Sequence, residues 1–167
     1  NNVDSGNDGV MHIAILEDLT EVANTLKSYI NLEPDMKCEH IYHTAEDAML
    51  FIPKQNIDIL IVDIGLPRAS GIEAIKFLTE HCPKIQFCMF TVYEDDDKIF
   101  NSLQAGAKGY ILKSASKDKL LEAIRELSNG GSPMSPSIAR RIIDVFSTLK
   151  TTPVVKSLPL SDRELEL

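Results

Sequence analysis

The sequence predicts an α/β fold: a five-stranded parallel sheet with helices on both faces and the strand order 2-1-3-4-5. Between residues 11 and 128, short apolar runs alternate five times with segments of helical period. Runs such as residues 59–62 are too apolar for a strand with one solvated face, and they suit a parallel strand buried on both faces. Repeated strand–helix units at this spacing are typical of a parallel sheet covered by helices.

Five units follow one another, each an apolar run and then a helical segment. The first helical segment places Val22, Leu26 and Ile30 at intervals of four, on one face of a helix. Glycines mark two later helix ends, at Gly106 and at residues 130–131. The apolar runs, in chain order, are HIAIL (12–16), CEHIYH (38–43), IDILIVD (57–63), IQFCMFT (85–91) and GYILK (109–113).

Composition divides the chain into a lead, one α/β domain, a linker and a short end. Residues 1–10 have neither a basic start nor an apolar stretch, so we expect a disordered lead or a tag remnant. The α/β domain spans residues 11–128. A linker follows over 129–160, with an amphipathic helix expected near 136–148. Residues 161–167 match the start of a further, capped helix.

The net charge and the cysteines indicate what the protein is expected to bind and which compartment suits it. The net charge is −8, and residues 1–131 hold 12 Lys/Arg against 21 Asp/Glu. An acidic body argues against direct nucleic-acid binding by this part of the chain, because neutralising phosphates needs a basic surface. No apolar run approaches the roughly 18 residues of a membrane span, so we expect no membrane partner. The three cysteines are odd in number and lack metal-ligand spacing, which fits a reducing cytoplasm.

Polar residues follow four of the five predicted strands. The first strand ends in residues 17–18 (Glu-Asp), the third in Asp63, the fourth in Thr91 and the fifth in Lys113. The second strand ends in His and Thr, which offer nothing comparable. Ligands of open parallel sheets bind outside the carboxyl ends of the strands, and the order 2-1-3-4-5 brings the first, third, fourth and fifth strands together. The four strand ends are therefore expected to build one pocket.

The residue types in this pocket point to phosphoryl transfer onto a carboxylate. Glu17, Asp18 and Asp63 would repel one another without a cation, and oxygen ligands suit Mg²⁺. Lys113 and Thr91 supply an ammonium and a hydroxyl for phosphoryl oxygens, which leaves Asp63 as the nucleophile. Each residue alone is weak evidence. Asp18, for example, could instead cap the following helix.

Four stretches of the sequence resemble the receiver domains of bacterial response regulators: ILED (15–18), VDIGLPRASGIEAI (62–75), FTVYEDDD (90–97) and GAKGYILKSAS (106–116). The resemblance covers roughly residues 11–128 and implies the flavodoxin-like receiver fold. It implies a cytoplasmic protein whose Asp63 accepts phosphate from a sensor histidine kinase. Such a protein is not an enzyme beyond its own phosphoryl transfer and dephosphorylation.

The same resemblance assigns roles residue by residue. Glu17, Asp18, Asp63 and the backbone carbonyl of Gly65 would hold Mg²⁺. Thr91 and Lys113 occupy the family's hydroxyl and lysine positions, and Tyr110 matches its aromatic switch residue. Phosphorylation of Asp63 is expected to draw Thr91 towards the phosphoryl group and to make room for Tyr110 to turn inward.

Three positions depart from the pattern common in receivers. Gly65 replaces a larger side chain, so one wall of the pocket is expected to be more open. Val92 follows Thr91 where a small residue is common, and its side chain is expected to crowd the site. Ser114 follows Lys113 where many receivers have proline, so a cis bond cannot be assumed there.

The end of the chain resembles the join to a LuxR-type helix-turn-helix in NarL-type transcriptional regulators. The stretches that carry this resemblance are SPSIARRIIDVF and, after a linker, PLSDRELEL. The recognition helix is absent, so DNA would be bound only through a missing C-terminal domain. A homodimer through the first and fifth helices, or through the linker helix, is left open.

Three other functions share part of this sequence pattern. A phosphatase with an aspartate nucleophile usually needs a second aspartate two residues later, where this chain has Gly65. A flavin-binding module would need a Ser/Thr/Gly-rich phosphate loop after the first strand, where the acidic residues 17–18 would repel phosphate. A receiver that works without phosphorylation stays open because of Val92.

Overall fold

The computed structural model describes residues 9–66 and 70–151, with the side chains of residues 150 and 151 excepted. Its sheet has five parallel strands in the order β2-β1-β3-β4-β5. The predicted fold class and strand order are confirmed. The strands are β1 (Met11–Leu16), β2 (Met36–Tyr42), β3 (Ile59–Val62), β4 (Gln86–Thr91) and β5 (Gly109–Leu112).

Helices connect the strands, as the alternation of periods in the sequence predicts. A single 3-10 turn (Ile52–Lys54) follows the second helix and carries Pro53 in its first turn. The helices are α1 (Thr20–Asn31), α2 (Ala45–Phe51), α3 (Gly71–His81), α4 (Asp96–Ala105), α5 (Lys117–Ser128) and α6 (Pro136–Thr151). The helix expected near 136–148 is therefore α6, which begins where it was expected and ends a few residues later.

The central strands are buried in the core, which fixes the positions of the residues at their ends. Every residue of β3 is buried, as are the last four of β1, which agrees with a strand covered on both faces. Ile13, Ile30, Ile61 and Ile124 pack in one cluster between the sheet and the helices α1 and α5. Each isoleucine buried in this way contributes roughly 1.5–3 kcal/mol relative to leaving it in water.

Strand register brings the carboxyl ends of the central strands level. Leu16 of β1 pairs with Val62 of β3, and Thr91 of β4 pairs with Leu112 of β5. The pairing continues one residue further, because the Asp63 N–H donates to the carbonyl of Leu16 at 3.0 Å. These strand ends therefore open onto the same edge of the sheet.

Contacts divide the described residues into two units, with the boundary between residues 135 and 136. The first unit includes a short segment that the sequence analysis placed in the linker. The carbonyl of Pro133 accepts the N–H of Tyr110 at 2.9 Å, and the N–H of Ser135 donates to the carbonyl of Tyr110 at 3.0 Å. Residues 133–135 thus run parallel to β5, because its outer edge still offered unpaired backbone groups.

Two expectations from the sequence fall outside the described residues: the disordered lead expected over 1–10, for its residues 1–8, and the capped helix over 161–167. Within the described part of the chain, no helix is long and apolar enough to cross a membrane.

Candidate functional site

Three carboxylates meet at the carboxyl end of the sheet. Oxygen atoms of Glu17, Asp18 and Asp63 lie within 4.8 Å of one another. Glu17 and Asp63 are buried, with 1% and 7% of their surface exposed, whereas Asp18 is half-buried. Grouping like charges at this distance is costly unless a cation compensates them, so the arrangement favours a cation site.

One ammonium group lies among these acids. Lys113 Nζ is 2.7 Å from Glu17 Oε1 and 3.3 Å from Asp63 Oδ2. Burial disfavours the charged form of Lys113, but the hydrogen bond to Glu17 and the negative charge of Asp63 outweigh burial and raise its pKa. Lys113 therefore stays charged and compensates part of the acidic cluster.

Glu17 is the most deeply placed of the three acids. Burial raises the pKa of its carboxyl group, and the hydrogen bonds donated by Lys113 and by the Leu19 N–H offset this only in part. Its backbone carbonyl contacts His43 Nδ1 at 2.8 Å, which ties the end of β1 to the loop after β2.

Asp18 is not the cap of α1. The N-cap residue of that helix is Leu19, whose side chain makes no capping hydrogen bond, and the N–H of Leu19 donates to Glu17 and not to Asp18. The alternative reading of Asp18 as a capping residue is therefore wrong. Its carboxylate is directed to the acidic cluster instead.

Thr91 and Tyr110 stand on the neighbouring strands. Thr91 is fully buried, and its hydroxyl accepts the N–H of Tyr93 at 3.5 Å. Tyr110 is also fully buried, and its hydroxyl donates to the carbonyl of Tyr93 at 2.8 Å. Burial, and then the negative charges of Asp95 and Asp63, raise the pKa of Tyr110, so the phenol stays protonated and keeps its donor.

Comparison with known proteins identifies the family to which this arrangement belongs. The family model described as "Response regulator receiver domain" matches residues 13–125. The chain belongs to that family. The matched range includes the carboxyl ends of all five strands and the three acidic residues of the cluster.

The proteins similar to this chain include transcriptional regulatory proteins and a LuxR-family response regulator. Over 158 residues the chain is 32% identical to the transcriptional regulatory protein DesR of Bacillus subtilis, covering 95% of this chain and 73% of DesR. It is 25% identical over 160 residues to DegU of Brevibacillus brevis, covering 96% and 68%. A LuxR-family response regulator from Aurantimonas superimposes with a TM-score of 0.78 at 25% identity, covering 83% of this chain and 99% of that one.

One expectation about this receiver is corrected by the structure, and another gains a geometry. Tyr110 lies inward here, where the Tyr93 carbonyl accepts a hydrogen bond from its buried hydroxyl; its movement on phosphorylation stays a prediction. Gly65 was expected to leave one wall of the pocket open. Instead, a Cβ placed on Gly65 would lie 3.2 Å from Tyr93 Cε2 and from its hydroxyl oxygen, so the Tyr93 ring occupies that wall.

The structure also describes the other two positions that differ from the pattern common in receivers, residues 92 and 114. The Val92 side chain is 65% exposed beside the buried Thr91. The bond after Lys113 is trans, since no cis peptide bond occurs in the described part of the receiver.

Gly71 was missed by the sequence analysis. A Cβ at Gly71 would lie only 2.2 Å from the backbone carbonyl oxygen of Asp63, so only glycine lets α3 start this close to β3. Ser70 and Glu73 form a capping box around the same helix start. The motif Ser-Gly-x-Glu shortly after Asp63 was the signal that could have identified it.

Proposed function

We propose that this receiver accepts a phosphoryl group on Asp63 from a phosphohistidine of a sensor histidine kinase. The observation that carries the proposal is the position of the Asp63 carboxylate between two further acids and the ammonium of Lys113. A carboxylate oxygen can act as a nucleophile, and the ammonium of Lys113 lies 3.3 Å from Asp63 Oδ2, where it can stabilise negative charge on an attached phosphoryl group.

In the reaction, a carboxylate oxygen of Asp63 attacks phosphorus and the bond from phosphorus to the histidine nitrogen breaks. The imidazole nitrogen takes the bonding electrons. Lys113 stabilises the phosphoryl oxygens by its charge, and the Thr91 hydroxyl donates a hydrogen bond to one of them. Lys113 is held ready for this role by its contact with Glu17.

We infer that Mg²⁺ binds at the acidic cluster, held by Glu17, Asp18, Asp63 and the backbone carbonyl of Gly65. The donor set fits, since three carboxylates face one ammonium and a net negative charge is left over. Bound there, Mg²⁺ would shield the negative charge of the incoming phosphoryl group. Lys113 donates to both Glu17 and Asp63, at 2.7 and 3.3 Å, so a bound Mg²⁺ would share these two carboxylates with the ammonium.

The proposed setting is signalling in the cytoplasm and not metabolism. The chain would catalyse only its own phosphorylation and dephosphorylation. The names of its relatives support a role in transcription, with DNA bound only through a C-terminal helix-turn-helix domain and not by the acidic α/β body. A homodimer, through α1 and α5 or through α6, is part of the proposal and is tested by light scattering with and without a phosphate mimic.

Intact-mass spectrometry after incubation with acetyl phosphate and Mg²⁺ tests the phosphoacceptor. The wild type should gain the mass of one phosphoryl group, and Asp63→Asn should gain none. Asp58→Asn is the matched control, because Asp58 precedes β3 and lies at the amino end of the strand that Asp63 follows. Asparagine at this position keeps an oxygen that can accept the His12 N–H. An unmodified wild type, or a modified Asp63→Asn, would rule the assignment out.

A further inference from the structure

The strand β2 lies at one edge of the sheet, with β1 as its only neighbouring strand among the described residues. An edge strand presents backbone N–H and C=O groups that can pair with a strand of another chain. At the opposite edge, residues 133–135 pair with β5 and occupy such groups. The outer side of β2 is therefore the edge of the sheet at which a strand from another chain has room to add.

The side chain of Asn31 occupies this outer side of β2. Asn31 is the last residue of α1, and the short connection 32–35 leads from it to the start of β2. Its Oδ1 accepts the Cys38 N–H at 2.8 Å, and its Nδ2 donates to the Cys38 carbonyl at 3.1 Å. One carboxamide thus satisfies both backbone groups of one residue, as a residue of an antiparallel strand does in a hydrogen-bonded pair.

Two further features of β2 fall next to Cys38. The register between β1 and β2 shifts by one residue there, which leaves Glu39 as an extra residue on β2. Lys37 and Glu39, on either side of Cys38, form an exposed ion pair with an N–O distance of 3.1 Å. Bulges and charged side chains are both means by which natural sheets limit pairing at an edge.

We propose that Asn31 blocks the outer edge of β2 against the β2 strand of a second copy of this chain, and that this edge becomes a self-association surface once the carboxamide is removed. A second copy fits because two β2 edges related by a two-fold axis through Cys38 would run antiparallel. Lys37 of each copy would then stand opposite Glu39 of the other, an attractive pairing of opposite charges. The inference does not rest on the proposed function, since it involves no residue of the acidic pocket.

Removal of the carboxamide tests the proposal. Asn31→Ala leaves the backbone groups of β2 in place, and the full chain is compared with its variants by sedimentation velocity over a wide range of protein concentration. The dissociation constant for the edge-paired assembly should be about tenfold or more lower for Asn31→Ala than for the wild type, because pairing no longer has to break the two hydrogen bonds of Asn31.

Two control variants separate edge pairing from a general loss of stability. Asn101→Ala removes an exposed asparagine from α4 and should associate no more than the wild type. Thr44→Ala removes the hydroxyl that accepts the Asp47 N–H at the start of α2, so it loses a hydrogen bond that lies away from the edge. Association caused by partial unfolding would appear in Thr44→Ala as well, whereas edge pairing would not.

A second substitution tests the charge pairing across the assembly. In the Asn31→Ala background, Glu39→Lys would place two lysines opposite each other at both ends of the pairing, so the dissociation constant should return to the wild-type value. The same substitution moves the net charge of −8 closer to zero, which by itself would favour association. Suppression therefore reports the edge of β2 and not the overall charge.

Hydrogen exchange at the Cys38 amide locates the contact. In the wild type its protection should not depend on protein concentration, because Asn31 accepts the N–H within each chain. In Asn31→Ala the amide should exchange about tenfold faster at low concentration and regain its protection as the assembly forms. An assembly through α1 and α5, or through α6, would leave this amide exchanging rapidly at every concentration.

The proposal is overturned if Asn31→Ala associates no more strongly than the wild type, if Thr44→Ala associates as strongly, or if Glu39→Lys does not reverse the association. It is equally overturned if Asn31→Ala associates while its Cys38 amide exchanges at a rate that is independent of concentration. If Asn31→Ala does not fold, Asn31→Ser takes its place and should shift the dissociation constant in the same direction, because its short side chain cannot span both backbone groups of Cys38.

Discussion

The hydroxyl of Tyr110 donates a 2.8 Å hydrogen bond to the carbonyl oxygen of Tyr93, which joins β5 to the loop that follows Thr91. The backbone of the same Tyr110 is paired on its other side with Pro133 and Ser135. One residue therefore connects the loop beside Thr91 to the segment that immediately precedes α6.

The first prediction concerns this hydrogen bond. Tyr110→Phe removes the donor and leaves the carbonyl of Tyr93 without its partner, so the free energy of unfolding should fall by about 1–2 kcal/mol. Urea denaturation measures it. Tyr29→Phe, on α1, is the control and should change stability by much less. Equal stability of Tyr110→Phe and wild type would contradict a structural role for the bond.

The second prediction concerns Asp18. Replacing it by Asn removes one charge from the acidic cluster, and Mg²⁺ affinity should fall about tenfold or more, which corresponds to about 1.4 kcal/mol. Isothermal titration calorimetry measures the affinity. Asp47→Asn, on the exposed face of α2, is the control for a general change in charge. The assignment of Asp18 as a ligand fails if its titration curve overlays that of the wild type.

The third prediction concerns pH. Because burial raises the pKa of Glu17, the folded protein binds a proton there more tightly than the unfolded chain does. The stability that this group contributes is present below its unfolded pKa and is lost as pH rises through the raised folded pKa. Across that window, the stability of the wild type relative to Glu17→Gln should decrease with rising pH in Mg²⁺-free urea titrations. A flat or rising difference would show that Lys113 compensates Glu17 fully.

The fourth prediction concerns the start of α3. Gly71→Ala would place a Cβ 2.2 Å from the Asp63 carbonyl oxygen, so the helix start must shift. The free energy of unfolding should fall by roughly 2–4 kcal/mol, in the range of overpacking substitutions. Gly130→Ala is the comparison: Gly130 has a φ of 91° but open space around it, so its cost reports backbone strain alone. Thermal unfolding that ranks Gly130→Ala as the costlier change would contradict the close approach.

Much of the receiver could be predicted because the signals are local. Apolar runs such as residues 59–62 mark buried strands wherever they occur, and strand-terminal residues such as Asp63 must lie at the carboxyl edge once the strands are parallel. The identities of Glu17, Asp18 and Lys113 then indicated a pocket, and the structure brings their charged atoms together.

Other features depend on which loops meet, which no local pattern records. The Gly65 loop and the Tyr93 loop touch only because β3 and β4 are neighbours with a particular register. A glycine in the sequence indicates space, but whether that space stays open depends on a side chain 28 residues away.

The sequence by itself determined the strands, the helices and the charged residues that follow the strands, because periodicity and residue type act within a few neighbouring residues. The order 2-1-3-4-5 was expected from the fold that such strand–helix units adopt. Only the tertiary structure decided that Tyr110 lies inward, that residues 133–135 pair with β5 and that Tyr93 rests on Gly65. These three are packing and hydrogen-bonding choices between distant segments. These contacts form because buried polar groups must be hydrogen-bonded and because the interior of a folded protein is closely packed.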